Sequence, residues 1–305
     1  MRDKDRTVAL VQSALGFIEP KPRWSHGAPG QGFRVTFCRA NPSLAHSPTL
    51  IELIEPAALD PQLPLTEVVP NVQGFADRQG TRPLQTHGAP VASSHVDDLI
   101  ERVRGLGLRH WVQPATDRFP FSRLWMGITA SDLAGHRPDD DGGLMLEVVD
   151  TVTLGLPAGA LDGPLPPAEP APGGFTRTLA RCFLVDDLDR RLEAVARTFG
   201  WEPELVERGE GGARRATLGF TLPQSARIEL IQPAGGREEH EFLTRHGAGI
   251  WCVRVGVRDL DEKAEDLARR GTAVHRVDTG FANPSTVLRV DAGVVPGCRF
   301  EFAPG

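Results

Sequence analysis

Lysine is nearly missing from this chain. Lys4, Lys21 and Lys263 are the only lysines in 305 residues, so arginine carries almost all the positive charge. A guanidinium is a planar fork that recognises carboxylates and phosphates through two parallel bonds, although biased codon usage explains the same composition. The net charge of −6 argues against a nucleic-acid partner, which would need a basic face. No run approaches the ~18 apolar residues of a membrane helix. The opening MRDKDRTVALVQ is charged where a secretory leader has an apolar core. Cysteine is sparse: Cys38, Cys182, Cys252 and Cys298 lie far apart, with no CxxC pair. That speaks against a zinc knuckle or a disulfide scaffold and for reduced thiols in the cytoplasm. No Walker sequence or serine elbow is present. GAPGQG at Gly27–Gly32 lacks the strand-to-helix turn of a dinucleotide fingerprint.

What the chain does have is a pattern that appears twice. LIELIEP at Leu50–Pro56 returns as RIELIQP at Arg227–Pro233. HVDDLIERVRGLG, from His95, returns as VRDLDEKAEDLARRG, from Val257. LMLEVV around Glu147 is echoed by RFEFAP around Glu301. The order is kept and the offsets drift, as loop insertions and deletions in a duplicated module would produce. GLPAGALDGPLPPAEPAPGGF at Gly155–Phe175 is too rich in Pro and Gly for regular structure and reads as a linker. The expected organisation is a module at 1–154, a linker at 155–175 and a module at 176–305.

The C-terminal part reads as two βαβββ units. Thr176–Val185 is rich in branched and aromatic residues and predicts a strand. Leu188, Leu192, Val195 and Phe199 then make one helical stripe, closed by Gly200. Strands follow in ELVERG, ARRATLGFTL and ARIELIQP. The second unit has the strand GIWCVRVGV, a helix with Leu260, Ala264, Leu267 and Ala268 inward, and strands in TAVHRV, STVLRVDA and GCRFEFA. The N-terminal part is a looser copy. Its first unit begins with a helix at about Asp5–Leu15, so the strand that should open it is missing. An edge left unpaired, or covered by another segment, is expected there.

These residues resemble the vicinal oxygen chelate superfamily, which includes glyoxalase I, methylmalonyl-CoA epimerase, extradiol dioxygenases and bleomycin-binding proteins. The closest likeness is to the epimerase-like branch. It rests on LVDDLD at Leu184–Asp189, IELIQP at Ile228–Pro233, FLTRHGAGIWCVRVGVRDLD at Phe242–Asp261 and CRFEF at Cys298–Phe302. It covers the C-terminal part directly and the N-terminal part through the repeat. The resemblance implies an α+β fold of tandem modules, whose paired βαβββ units curve into cups that hold a metal and a small substrate.

The metal positions depart from that pattern. Counting seven back from Asp187, where the family has its first histidine ligand, gives Ala180; counting back from Asp259, the second falls on Cys252. The acidic positions are kept as Glu229 and Glu301, and in the first module as Glu52 and Glu147, with Val91 at the second histidine position. A transition ion wants nitrogen ligands, so no metal or other cofactor is expected, a divalent ion being disfavoured. A buried free cysteine ordinarily behaves as a small hydrophobe. Alternation puts Arg254 on the Cys252 face, Arg299 on the Glu301 face and Arg227 on the Glu229 face. Glu229 and Glu301 therefore have two readings: ion pairing with arginine in a polar cup, or acid–base work on a ligand. Trp251, beside Cys252, could stack a flat ligand.

Other candidates read as local structure. His240 and His246 are spaced HExxxxH, not the i, i+4 of a helical zinc pair. His87 and His246 suit loops and His95 a strand–helix turn, while His110 and His275 fall on second strands and could line a cup. The expected function is metal-independent binding of a small organic molecule, with Trp251, Cys252, Arg254, Arg299, Glu52 and Glu147 around the ligand. The alternative is an isomerase, lyase or dioxygenase-type enzyme using Glu229 and Glu301. A homodimer is left open.

Overall fold

In the computed structural model the described residues are 3–16, 19–20, 30–40, 50–68, 89–117, 122–131, 137, 140–150, 173–220 and 225–305. Asp3 accepts the Arg6 backbone N–H and starts helix α1 (Lys4–Leu10), which widens into a π-type turn over Val11–Leu15. Strands β1 (Glu19–Pro20), β2 (Gln31–Arg39) and β3 (Ile51–Leu59) then form an antiparallel sheet in that order. The next unit runs β4 (Ala89–Ser93), α2 (Val96–Gly105), β5 (His110–Gln113), β6 (Arg123–Met126) and β7 (Leu146–Asp150). Its sheet order is β4-β7-β6-β5.

The C-terminal half holds β8 (Phe175–Leu184), α3 (Leu188–Phe199), β9 (Leu205–Arg208), β10 (Arg214–Leu218) and β11 (Arg227–Gln232). A helix the sequence reading missed, α4 (Glu238–His246), is inserted next. Then come β12 (Gly249–Val257), α5 (Leu260–Arg269), β13 (Val274–Asp278), β14 (Thr286–Val290) and β15 (Phe300–Pro304). All eight strands make one mixed sheet, β13-β14-β15-β12-β8-β11-β10-β9. The architecture is α+β with mixed, open sheets. The βαβββ units follow the order the periodicities predicted, and the first unit adds the short strand β1, which the sequence reading did not place.

Helix α3 buries its predicted stripe, capped by Asp187 at one end and by left-handed Gly200 at the other. Helix α5 does not: Ala268 is exposed, while Lys263 and Asp266 are buried with Leu267. The reason is the neighbour that α5 meets. The end of the α1 segment presents carbonyls with no helical partner. They receive Lys263 Nζ on Leu15 at 2.8 Å, Thr272 Oγ1 on Ala14 at 2.8 Å and Arg270 Nη1 on Ser13 at 3.2 Å. Arg102 of α2 does the same for α3, reaching the carbonyls of Arg197 and Thr198. Each unit of the N-terminal half thus packs on the opposite unit of the C-terminal half. The apolar cores follow suit. One joins Val91, Ile100 and Val148 to Phe183, Val195 and Leu230, and another joins Val11, Leu15 and Leu53 to Val255, Phe300 and Phe302.

The halves differ at one place. In the C-terminal sheet β8 stands between β11 and β12 and joins the two units. In the N-terminal half β3 pairs with β2 and β4 with β7, and among the described residues no strand bridges β3 to β4. Arg181, on β8, reaches into this region and donates to the Pro90 carbonyl of β4 at 3.3 Å. Most of the Pro/Gly linker, like His87, lies outside the described residues.

Candidate functional site

The strand registers set the C-terminal cup. Arg289, Glu301, Arg254 and Ala180 are partners in one row across β14, β15, β12 and β8. Cys252, Cys182 and Glu229 make the next row, across β12, β8 and β11. Side chains in register share a face, so both rows line one surface. Arg254 lies between the two carboxylates. Its Nη1 is 2.7 Å from both Glu229 oxygens, and its Nε and Nη2 reach Glu301 Oε2 at 3.3 and 3.1 Å. Arg289 Nε holds the other Glu301 oxygen at 2.9 Å. Arg254 is 3% exposed and Glu301 1%, so this is a buried network whose charges must be paired to persist. Burial pushes the Glu301 carboxyl up, but the charges and hydrogen bonds of Arg254 and Arg289 outweigh it and hold the pKa at about 2. Arg215 adds a further cation, 3.6 Å from Glu229 and bonded to Glu207.

The neighbouring groups are engaged too. Burial, then the nearby Cys182 and Glu301, push the Cys252 thiol well above its ordinary pKa. The Trp251 ring has Arg299 at 3.7 Å and Arg289 at 5.2 Å from its centroid, with Phe242 edge-on at 5.1 Å. Its expected role of stacking a flat ligand therefore falls to guanidinium groups of the protein itself. Arg227 pairs not with Glu229 but with Glu204 at the exposed edge. A cavity of about 360 Å³ opens beside Trp251, lined by Arg237, Glu238, Glu239, Arg289 and Arg299, among others. His275 lines it as well, bonded to Asp291.

The N-terminal cup keeps the acidic positions but not the clamp. Phe37 pairs with Glu52 and Val35 with Ile54; Pro90, Glu147, Trp125 and Trp111 form a row across β4, β7, β6 and β5. Phe33, Val35, Ile54, Trp111, Trp125 and Ile128 make its apolar wall. Arg123 Nη1 is 3.7 Å from Glu147. Burial raises Glu147 to about 7 despite Arg123. Burial and then Glu147 raise Glu52 to about 8, against the opposing charge of Arg181. Gln113 ties this wall down: it accepts from Trp125 Nε1 and donates to the carbonyls of Leu65, Thr66 and Val68.

Sequence reasoning placed Val91 at a ligand position, and the structure corrects that. Pro90, not Val91, pairs with Glu147, and Val91 turns into the apolar core. The misplacement came from aligning Asp98 with Asp259. The residue that precedes α2 as Asp259 precedes α5 is His95, and an odd shift along a strand exchanges its faces. His95 makes no side-chain capping bond. Arg289, Arg215, Arg123 and Arg181 were missed, because arginine is so common here that an inward one carries no compositional mark. The signal was alternation: Arg289 sits among the apolar residues of STVLRV.

Part of the chain matches a known family. Residues 181–286 match the Glyoxalase/Bleomycin resistance protein/Dioxygenase superfamily. The match runs from the middle of β8 to the start of β14. No curated protein matches the chain. Similar solved structures include methylmalonyl-CoA epimerase of Streptomyces coelicolor in complex with 2-nitronate-propionyl-CoA. It is 23% identical, with a TM-score of 0.37, over 42% of this chain and 96% of that one. The Mycobacterium tuberculosis methylmalonyl-CoA epimerase is 24% identical, with a TM-score of 0.36, over 43% and 89%. A hypothetical protein of Bacillus halodurans C-125 is 17% identical, with a TM-score of 0.38, over 42% and 94%.

The donors present decide whether the divalent metal implied by the resemblance fits here. Ala180 offers a methyl group, Cys252 a thiol that burial keeps protonated, and Glu229 and Glu301 already share the Arg254 guanidinium. Among the described residues no three His, Cys, Asp or Glu side chains converge on one point. The donor set does not fit such an ion. Among those residues, too, no helix is long and apolar enough to cross a membrane.

Proposed function

We propose that this protein binds a small organic molecule without a transition metal, and that the N-terminal cup receives it. The observation that carries this reading is the bridge of Arg254 between Glu229 and Glu301. A guanidinium in that place gives the two carboxylates a structural partner, and Glu301, held near pKa 2, is a poor base at neutral pH. Glu52 and Glu147 are the opposite case. Carboxyls that titrate at about 8 and about 7 can donate a hydrogen bond to a ligand carbonyl as well as accept one. Trp111, Trp125 and Phe37 would cover its flat or apolar body. Four unpaired thiols agree with a cytoplasmic setting.

A thermal-shift screen of small organic molecules on the wild type tests this. Hits should lose their effect in E52Q and E147Q, and should keep it in the presence of EDTA. Added Zn²⁺, Mn²⁺, Ni²⁺ or Co²⁺ should leave Tm unchanged. Stoichiometric retention of one of these ions by Glu229 and Glu301, or hits indifferent to both substitutions, would overturn the proposal. A second reading, proton transfer next to a ligand carbonyl, has the near-neutral pKa values of Glu52 and Glu147 in its favour. Solvent deuterium incorporation into a bound hit would separate catalysis from binding.

A further inference from the structure

The cavity beside Trp251 opens at the rim of the C-terminal cup, where Arg289 joins it to the deep network. Arg289 is matched by Glu301 at 2.9 Å and Glu239 at 2.6 Å. His275 is matched by Asp291 at 2.9 Å, and Arg237 lies 3.6 Å from Glu210 and donates to the Asp278 carbonyl. That leaves Arg299. It is 8% exposed, and its guanidinium is stacked on Trp251. Among the described residues its one carboxylate neighbour is Glu238, at 2.8 Å from Nη1. That approach is not aligned as a hydrogen bond, and Nε and Nη1 have no hydrogen-bond partner among the described residues. A buried guanidinium with unmet N–H groups is costly, so this one is built to be met by something else.

Glu238 shows what that something resembles. Its two oxygens lie on two arginines, Oε2 accepting from Arg289 Nη1 at 2.9 Å and Oε1 beside Arg299. Yet its side chain is 53% exposed, at the first residue of α4. It is a carboxylate resting at the mouth of a cavity whose floor is two ordered guanidinium groups. If Glu238 swings into solvent, Arg299 loses the carboxylate beside its Nη1 and Arg289 loses the acceptor of its Nη1. Two guanidinium groups that face one vacated carboxylate position suit a single carboxylate better than a polyanion. Val277 and Val290 add an apolar wall for an organic body, and a volume of about 360 Å³ suits a small molecule.

We infer that this cavity is a binding site for a small organic monocarboxylate, which Arg289 and Arg299 hold in the place of Glu238. Glu238 is the built-in competitor, so the apparent affinity of the wild type is reduced by the fraction of time the side chain occupies the site.

Calorimetric titration of the full chain with benzoate and butyrate, and with inorganic phosphate as the control anion, tests this. E238A should bind benzoate about tenfold more tightly than the wild type, and R299Q should lose binding. V277W fills the cavity while leaving every charged side chain of the network in the sequence, and should also lose binding, which keeps the test decisive where R299Q does not fold. Benzoate binding that E52Q abolishes and V277W leaves intact would belong to the N-terminal cup, so failure here and failure of that reading are separable. Equal or weaker binding by E238A, no binding by either protein, retained binding in V277W, or phosphate binding as tight as benzoate would each overturn the inference.

Discussion

The two cups keep carboxylates at the same places and use them in opposite ways. In the C-terminal cup Glu229 and Glu301 share one guanidinium and Glu301 has a second, so burial increases their dependence on charge. In the N-terminal cup Arg123 stands 3.7 Å from Glu147, and the walls are tryptophan, phenylalanine and valine. There the same burial drives the carboxyls toward the neutral form. What decides between the two outcomes is the partner strand. Pro90 stands on β4 where Arg254 stands on β12, each paired with the acidic residue of the neighbouring strand. A proline carries no charge to clamp the carboxylate. The two cups share a strand frame, and two positions, Pro90 against Arg254 and Trp125 against Arg289, separate a paired ion network from a titratable pocket.

The sharpest way to break this comparison is to remove the clamp. R254M leaves Glu229 and Glu301 buried together without their shared cation, and should cost about 3–5 kcal/mol of unfolding free energy in urea titrations. The matching change in the other cup, R123M, should cost less, because Glu147 sheds its charge near neutral pH when its partner is gone. Equal losses from the two substitutions would show that the cups are not electrostatically different.

The dependence on pH should have opposite signs. For Glu301 the folded pKa of about 2 lies below the ordinary 4.5. The stability it contributes is full above about pH 4.5 and is lost as pH falls through about 2. For Glu52 and Glu147 the folded values of about 8 and about 7 lie above 4.5. Their contribution is full below about pH 4.5 and is lost as pH rises through 7 to 8. Unfolding free energies measured from pH 3 to 9 should therefore fall at both ends. The double variant E52Q/E147Q should flatten the alkaline limb alone, and an unchanged alkaline limb would sink the assignment.

How much of this could be read beforehand follows from the physics of each signal. Strand alternation and the repeated IEL motif located Glu52, Glu229, Glu147 and Glu301, because period-2 order and internal duplication are both written in the chain. The same alternation put Arg254 on the right face but could not say that it would bridge two strands, since that depends on register. Val91 failed because a shift of three residues exchanges the faces of a strand. Lys263 and Asp266 failed for another reason. A helix face that meets carbonyl ends rather than a sheet looks polar, and polar positions read as solvent. The crossed packing of the units left no local mark at all.

That crossed packing gives a further contrast, between two seams that do the same job at different depths. At one seam Lys263 is fully buried, with its Nζ on the Leu15 carbonyl and on Asp266, 4.2 Å from the Phe175 ring centroid. K263M strips both acceptors of a donor in a dry place and should cost about 2–3 kcal/mol, seen as a lower urea midpoint.

At the other seam Arg102 reaches the last carbonyls of α3 from the surface, with Nη2 on Arg197 at 2.8 Å and Nε on Thr198 at 3.1 Å. Water can replace those donors there, and the favourable field of the helix end is partly screened. R102A should therefore cost about 0.5–1 kcal/mol, with a loss that shrinks as salt is added, while the loss in K263M stays nearly constant. If R102A proved as costly as K263M, the seam between α2 and α3 would depend on this one side chain. The apolar core formed by Ile100, Val103, Val195 and Leu188 would then contribute less than its burial implies.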